Sequence, residues 1–238
     1  MSETGSSAKR YTSDAITVTF EAQRCIHAAE CVRGLPAVFD KNRRPWVLPS
    51  AATAEEIAAV IERCPTGALH YERSDGGPAE RPDAHNTLRV RARGPYYVRG
   101  KLRVITADGE LYFEDVRVAF CRCGQSQIKP FCDNSHIAAG FDDGGAIVLP
   151  GAAGAASATP QEAVEPTSEP IGEAAGEHGE LTIKLRANGP LRLDGDFELI
   201  SADRQTIYRG TETALCRCGG SANKPFCDGS HRHNGFQA

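Results

Sequence analysis

The 238-residue chain carries 27 Lys and Arg against 31 Asp and Glu, a formal net charge of −4 with mixed signs, which argues against a nucleic-acid-binding surface. Aromatic content of 7%, with 24 Gly and 14 Pro, predicts two or three small domains with modest cores. No apolar run approaches the roughly 18 residues of a membrane span. Residues 1–14 lack the apolar segment of a secretory signal, so we expect a cytoplasmic protein with no membrane partner.

Cysteine usage is the most informative part of the composition. The nine cysteines form three groups of three, and this odd total with two C-x-C spacings argues against a disulfide framework. Thiolate metal sites need a reducing compartment, which agrees with a cytoplasmic location. The groups are Cys25, Cys31 and Cys64; Cys121, Cys123 and Cys132; and Cys216, Cys218 and Cys227.

The first third of the chain predicts a small mixed domain. We expect residues 1–14 to be disordered, Ile16–Phe20 to form a strand because it alternates apolar and polar residues, and residues 45–48 to form another. Thr53 and Glu56 have the spacing of a capping box that opens a helix through Arg63. The apolar face of this helix is Ile57, Val60, Ile61 and Cys64.

Residues 15–73 resemble divergent mono-cluster ferredoxins, on the basis of Cys25-x5-Cys31 and Cys64-Pro65. The bacterial ferredoxin run is C-x2-C-x2-C with a distant Cys-Pro, and Ala28 stands at its middle position. The resemblance implies a [3Fe–4S] cluster, or a [4Fe–4S] cluster whose fourth ligand is water or a side chain. His27 is a candidate for that ligand; otherwise it is a solvated loop residue. The alternative for the whole trio is three buried core thiols.

The rest of the chain contains an internal repeat. After a polar linker at residues 74–86, short strands with turns at Gly94-Pro95, Gly100 and Asp108-Gly109 lead into a cysteine-rich segment. The pattern of residues 86–141 recurs 95 positions later at 181–236, with Gly195 matching Gly100. Residues 150–178 are rich in Ala, Gly, Pro, Glu and Ser and predict a flexible tether.

Each repeat supplies three thiols and one imidazole. Cys121 and Cys123 are two apart and share a side of an extended segment, whereas Cys132 and His136 are four apart and share a face of a helical turn. Each pair can therefore share one metal ion. Asp133 is expected to cap the helical turn. The second copy places the same types at Cys216, Cys218, Cys227 and His231, with Asp228 as the cap.

This motif resembles the CDGSH iron–sulfur family, C-x-C-x2-[ST]-x3-P-x-C-D-G-[STA]-H. The second copy matches throughout, and the first departs only at Asn134, which replaces Gly and tolerates a left-handed backbone. The resemblance implies two [2Fe–2S] clusters, and pairing of two such units across shared β-structure. We therefore expect an α+β chain that is a monomer with an internal pseudo-dimer, or a weak homo-oligomer. The implied ligands are Cys121, Cys123, Cys132 and His136, then Cys216, Cys218, Cys227 and His231.

Several side chains near the predicted ligands allow two interpretations. Lys129 and Lys224 either offset the charge of the cluster or are solvated, and Ser126 and Ser221 either donate to a sulfur or cap the loop. Imidazole ligation predicts a raised, pH-dependent potential and acid-labile clusters. The remaining histidines are expected at the surface: His70, His85, His178 and His233.

No nucleophile elbow, phosphate loop or dinucleotide fingerprint is present in the sequence, so we expect a protein that is not an enzyme. The leading hypothesis is one-electron transfer between the ferredoxin-like and CDGSH centres and an unidentified redox partner. The second is cluster storage, cluster transfer to an apo-acceptor, or redox sensing. The third is a structural zinc module, because three Cys and one His also suit tetrahedral zinc.

Overall fold

The computed structural model describes residues 8–147 and 178–238, which fall into two compact units that meet between Arg81 and Pro82 in sequence. The tether expected at residues 150–178 lies outside the described residues except for His178. Strands dominate the described part, and its helices are few and short. None of these helices is long and apolar enough to cross a membrane.

The first unit is a three-stranded antiparallel sheet in the order β1-β2-β3, packed against one amphipathic helix. Its buried core includes Ile16 and Val18 from the sheet and Ile57 and Ile61 from the helix. The elements are β1 (Lys9–Thr12), β2 (Ile16–Phe20), α1 (Glu30–Gly34), α2 (Ala54–Ile61) and β3 (Leu69–Arg73), with 3-10 turns at Ala22–Arg24 and Pro49–Ala51.

The capping box forms as the sequence predicts. Thr53 Oγ1 accepts from the Glu56 amide at 3.2 Å, and Glu56 Oε2 accepts from the Thr53 amide at 3.0 Å. These bonds satisfy two amides that the first turn of α2 leaves without a partner. The helix ends at Ile61, two residues before the predicted end at Arg63.

Two sequence predictions in this unit are wrong. Residues 9–12, expected to be disordered, form β1 because all four pair with residues 17–20 of β2. Residues 45–48, expected to be a strand, contribute only one isolated bridge between Phe39 and Val47. Pro45 has no amide hydrogen to donate to a ladder, which accords with the absence of longer pairing among the described residues there.

The second unit contains both repeats in one six-stranded sheet. Its buried core takes residues from both copies, among them Leu88, Tyr96, Leu181 and Phe197. The elements are β4 (Thr87–Val90), β5 (Tyr96–Ile105), β6 (Leu111–Phe120), α3 (Ser135–Ala138), β7 (Leu181–Leu185), β8 (Leu191–Ile200) and β9 (Ile207–Leu215), with a 3-10 turn at Ser230–Arg232.

Each repeat places its first strand against the other repeat. Strand β4 pairs antiparallel with the first half of β5 and parallel with the second half of β8. In the same way, β7 pairs antiparallel with β8 and parallel with β5. The registers match, since Thr87 pairs with Glu198 and its equivalent Thr182 pairs with Arg103. The two repeats therefore share one hydrogen-bonded sheet.

Gly100 and Gly195, expected to form turns, lie inside the long strands at the points where these change partner. Their φ angles are +132° and +117°, in the region that favours glycine, and the register of β5 and of β8 shifts across them. A Cβ on Gly195 would lie 2.6 Å from the carbonyl oxygen of Glu180. The glycines thus permit close approach of a neighbouring backbone.

Asn86 joins the repeats at this same point. Its buried side-chain amide donates to the carbonyl oxygens of Gly179 and Asp196, at 2.9 Å each, and accepts from the Lys101 amide at 3.0 Å. Three hydrogen bonds from one side chain connect segments from both copies.

Replacing Asn86 by Ala is expected to lower the free energy of unfolding by about 3 kcal/mol, since each buried hydrogen bond contributes about 1 kcal/mol net. Urea titration of the full chain, followed by circular dichroism, measures this loss. Asn86→Asp is expected to cost at least as much, because a carboxylate faces two carbonyl oxygens. Lys101→Ala, at an exposed position, is the control, and a loss of under 1 kcal/mol for Asn86→Ala would contradict the assignment.

Candidate metal centres

The first cysteine-rich loop is closed on the end of β6. The Cys121 amide donates to the Pro130 carbonyl oxygen at 2.8 Å, and the Cys132 amide donates to the Ala119 carbonyl oxygen at 2.9 Å. The second loop repeats this closure, with Cys216 donating to Pro225 and Cys227 donating to Ala214, both at 2.8 Å. Main-chain pairing therefore brings the early and late ligands of each motif to the end of one strand.

The four predicted ligands of each motif form two close pairs. In the first motif, Cys121 Sγ lies 3.6 Å from Cys123 Sγ, and Cys132 Sγ lies 3.5 Å from His136 Nδ1. In the second motif, the corresponding distances are 3.7 Å and 3.4 Å. The second motif's pairs are Cys216 with Cys218 and Cys227 with His231.

These separations fit two ligands of one tetrahedral metal ion. Two sulfurs bound at about 2.3 Å would lie about 3.8 Å apart, and a sulfur and an imidazole nitrogen slightly less. In residues 8–147 and 178–238, no three Cys, His, Asp or Glu side chains are grouped to hold one ion. The donor set of each motif therefore suits two metal ions with two protein ligands on each, and Nδ1 is the histidine atom that would bind.

Main-chain amides point at the ligand sulfurs. The amide of Gln125 donates to Cys123 Sγ and that of Gly220 to Cys218 Sγ, both at 3.4 Å. The amide of Asn134 donates to Cys132 Sγ at 3.5 Å. Asn134 has a φ of +70°, the left-handed conformation expected at this position. Such donors favour negative charge on the thiolates that a metal requires.

The aspartates Asp133 and Asp228 do not cap the helical turns as predicted. Asn134 and Gly229 occupy the N-cap positions, and neither provides a side-chain cap. Asp133 instead accepts from the amides of Ser135 at 2.9 Å and Gln127 at 2.8 Å, which ties the two halves of the loop together. Asp228 does the same with Ser230 and Ala222.

The serine hydroxyls hold the loop together, and among the described residues they bond to main-chain groups and not to a sulfur. Ser126 Oγ donates to the Phe131 carbonyl oxygen, and Ser221 Oγ donates to that of Phe226, both at 2.7 Å. It is the serine main-chain amides that donate to Cys121 and Cys216. Lys129 and Lys224 donate to the carbonyl oxygens of Ser126 and Ser221 and are partly buried.

Sequence reasoning missed the arginine between the two cysteines of each C-x-C pair. Arg122 is buried, donates to the carbonyl oxygens of Gly94 at 2.9 Å and Arg91 at 2.7 Å, and pairs with Asp143. Arg217 donates to Gly189 and Arg186 at the same distances. Each arginine fixes its loop to the Gly-Pro turn of its own repeat, and its presence in both copies was the available signal.

The two ligand loops contact each other through their main chains. Cys123 and Cys218 form an isolated antiparallel bridge. The next residues, Gly124 and Gly219, have φ angles of +79° and +77°. A Cβ on either would lie 2.6 Å from the carbonyl oxygen of the facing cysteine, so only glycine fits.

The Tyr96 hydroxyl supports the second loop from the first repeat. It lies 3.0 Å from the carbonyl oxygens of both Cys216 and Pro225 and is fully buried. Burial raises the pKa of Tyr96 well above its ordinary value, so the hydroxyl remains a donor. The equivalent residue in the second repeat is Leu191, which cannot form this hydrogen bond.

The N-terminal cysteines share one small cavity. Cys25, Cys31 and Cys64 line it together with Ala28 and Trp46. Cys64 Sγ lies 3.6 Å from Thr66 Oγ1. His27 and Ala29 have φ angles of +56° and +64°, so the loop between the first two cysteines wraps tightly. His27 is exposed and is not among the residues that line the cavity.

Three of the four histidines predicted at the surface are partly buried and have partners. His70 Nδ1 lies 2.8 Å from Glu80 Oε2, and the Asn86 amide donates to His178 Nδ1 at 3.0 Å. The rings of His85 and His178 are 4.7 Å apart. His233 is exposed as predicted.

Burial and hydrogen bonding set the pKa values of the thiols. Burial raises the pKa of both Cys31 and Cys132 to about 11. The hydrogen bond from Cys123 lowers the pKa of Cys121 to about 6, and the one from Cys216 lowers that of Cys218 to about 5. Burial lowers the pKa of His136, which favours the neutral imidazole that binds metal.

Comparison with known families agrees with this geometry. The family model described as "Divergent 4Fe-4S mono-cluster" matches residues 11–74, and that described as "Iron-binding zinc finger CDGSH type" matches residues 93–137 and 188–232. The chain is 39% identical over 61 residues to "Uncharacterized protein YjdI" of Escherichia coli K12 and of E. coli O157:H7. The match covers 26% of this chain and 80% of each relative.

The chain belongs to the divergent 4Fe-4S mono-cluster family and carries two CDGSH-type domains. No solved structure matches it significantly. The matched CDGSH segments contain all eight ligand candidates of the second unit, and the mono-cluster match contains the N-terminal cysteine trio. These are iron–sulfur binding domains.

Replacing Gly219 by Ala is expected to lower the free energy of unfolding by about 3 kcal/mol or more, because the left-handed backbone costs about 1–2 kcal/mol and the contact with Cys123 adds to it. Thermal unfolding and visible absorption of the purified protein are the measurements. Gly109→Ala is the matched control, since Gly109 has a φ of +92° but open space around it. Equal losses for the two variants would contradict a close approach of the loops.

Loading the metal-free chain is expected to release protons, because thiols with a pKa of about 11, such as Cys31 and Cys132, are protonated near neutral pH. Affinity should therefore rise with pH up to about 11, where these thiols are already deprotonated in the metal-free chain. An indicator dye in weakly buffered solution measures the release as iron and sulfide are added. A Cys132→Ser variant should release fewer protons, and an unchanged count would argue against this ligand.

Proposed function

We propose that this chain is a multi-cluster iron–sulfur protein that transfers single electrons. It would hold two [2Fe–2S] clusters at the CDGSH motifs and one [3Fe–4S] or [4Fe–4S] cluster at the N-terminal trio. The observation that carries the proposal is the bridge between Cys123 and Cys218, which makes the two ligand loops hydrogen-bonded neighbours. Electron exchange falls steeply with distance, so adjacent ligand loops favour exchange between their centres.

The ligand set suits one-electron chemistry at a moderate potential. A neutral imidazole in place of a thiolate removes one negative charge, which makes reduction easier, as in Rieske centres. The surrounding amides of Gln125, Gly220 and Asn134 stabilise negative charge on sulfur without moving. What the protein supplies is this fixed polar shell, while the cluster itself accepts and donates the electron.

We further propose that the tandem repeats act as an intramolecular pseudo-dimer within an α+β chain. The pairing of β4 and β7 supports this, because each of these strands is hydrogen-bonded on one edge to a strand of its own repeat and on the other edge to a strand of the other repeat. Because the two repeats of one chain complete this strand pairing between themselves, no second copy is required, and we propose a monomer. We also propose a cytoplasmic location and a carrier role without catalytic activity of its own, acting with a separate redox partner protein.

Anaerobic reductive titration of the cluster-loaded protein tests the proposal. We expect uptake of three electrons per chain, with iron and acid-labile sulfide counts that match the three clusters. Electron paramagnetic resonance of the oxidised protein separates the N-terminal alternatives, since a [3Fe–4S] centre gives a signal there and a [4Fe–4S] centre of this type does not. A folded chain with zinc and no sulfide would establish the structural zinc alternative instead.

A second candidate function is cluster storage, cluster transfer or redox sensing, favoured by the partial exposure of His136 and His231. An exposed neutral ligand can be displaced more readily than a buried thiolate. Mixing the loaded chain with an apo-ferredoxin distinguishes the candidates. A carrier retains its clusters, whereas a donor loses visible absorption as the acceptor gains it.

Replacing His231 by Cys is expected to lower the potential of the second CDGSH site by on the order of 100 mV or more, because it adds one negative charge to the ligand set. Two such replacements separate Rieske from plant-type centres by about 250–700 mV. Spectroelectrochemical titration measures the shift. His136→Cys should move the other midpoint instead, and an unchanged potential in both variants would show that the histidines are not ligands.

A further inference from the structure

The two CDGSH sites differ at a ligand sulfur, although their loops are closed in the same way. In the second site, the side-chain nitrogen Nδ2 of Asn234 lies against Gly220, whose main-chain amide donates to Cys218 Sγ at 3.4 Å, and this side chain favours negative charge on Cys218. The position equivalent to Asn234 in the first repeat is Ala139, which has no donor. The second site therefore has a side-chain donor beside a ligand loop that its counterpart lacks.

The orientation of the Asn234 amide is fixed by its neighbours. Asn234 Oδ1 accepts from the Phe236 main-chain amide at 3.2 Å, and the main-chain amide of Asn234 donates to the Ser230 carbonyl oxygen at 3.2 Å. With the oxygen engaged by the main chain, the nitrogen Nδ2 is the atom left to face the ligand loop. The amide donor is thus held in place before any cluster charge changes.

Space for this amide comes from a second difference between the repeats. A Cβ on Gly220 would lie 2.5 Å from Asn234 Nδ2, so a side chain there would displace the Asn234 amide from this position. The equivalent residue in the first repeat is Gln125, whose Cβ would fill that space. Glycine with asparagine in one copy and glutamine with alanine in the other are therefore complementary combinations.

A hydrogen bond to a ligand sulfur changes the potential in a known direction. Reduction adds negative charge that spreads onto the sulfurs, so a donor stabilises the reduced state and raises the potential. Solvent exposure is a further control on cluster potentials, and the two sites differ in it too. Cys218 and Cys227 are partly exposed, whereas their counterparts Cys123 and Cys132 are 7% and 4% exposed.

We propose that Asn234 is a tuning residue that makes the two CDGSH sites electronically inequivalent by stabilising the reduced state of the second. The inference rests on the proposed electron-transfer function. Asn234 lies beside a ligand loop and is not itself a ligand, so cluster binding does not depend on it. Its effect is on where an added electron resides within the pair of sites.

The test compares midpoint potentials of loaded full-length variants by spectroelectrochemistry. Asn234→Ala should make the reduction equilibrium of one site about tenfold less favourable. Its midpoint potential would then fall by about 59 mV for one electron. Asn234→Asp keeps the acceptor for the Phe236 amide and replaces the donor with a negative charge, so it should lower the same midpoint further. The double variant Gln125→Gly with Ala139→Asn should raise the other midpoint.

Two outcomes would overturn the inference. One is that all midpoints stay unchanged in variants whose iron and sulfide counts equal those of the parent chain. The other is that Asn234→Ala and Asn234→Asp shift the midpoints equally, which a purely structural role would produce. If the parent chain itself holds no sulfide, the proposed function fails first, so iron and sulfide counting of the parent separates the two failures.

Discussion

The short strands β4 and β7 can complete their pairing only between the long strands of both repeats, and the rest of the second unit depends on this constraint. Half of each long strand would lose a partner if the repeats separated, because β5 and β8 each change partner at Gly100 and Gly195. Exposed strand edges of this kind are a liability in water. The ligand loops at the ends of β6 and β9 are therefore positioned by a sheet that neither repeat forms alone.

At the end of this shared sheet, main-chain groups contribute more than side chains to the conformation of the ligand loops. Amides of residues 124–126 and 219–221 face the sulfurs of the C-x-C pairs, and serine hydroxyls and lysines brace the carbonyl oxygens behind them. Peptide dipoles fixed in this way need no rearrangement when charge on sulfur increases. The loop glycines are required by the same arrangement, since the Cys123–Cys218 bridge leaves no room for a Cβ on Gly124 or Gly219.

Local signals predicted much of this molecule, and non-local contacts account for what they missed. Features that depend only on residues a few positions apart can be predicted from a single sequence. They are the capping box at Thr53, the strand at 16–20 and the ligand spacings. At Gly100 and Gly195 the sequence predicts turns, because a glycine that permits close approach of another strand has the same local pattern as a glycine in a turn. The strand at Lys9–Thr12 has no apolar alternation and forms only because β2 offers a free edge.

For the proposed electron transfer, the differences between the two copies matter more than what they share. Identical sites would hold an electron equally, so a direction requires residues that break the repeat. Asn234 places a side-chain amide beside the Cys218 loop, whereas Arg217 interacts electrostatically with Cys121 across the boundary between repeats. These two effects favour opposite sites. The balance between them sets the potential difference along which an electron would move.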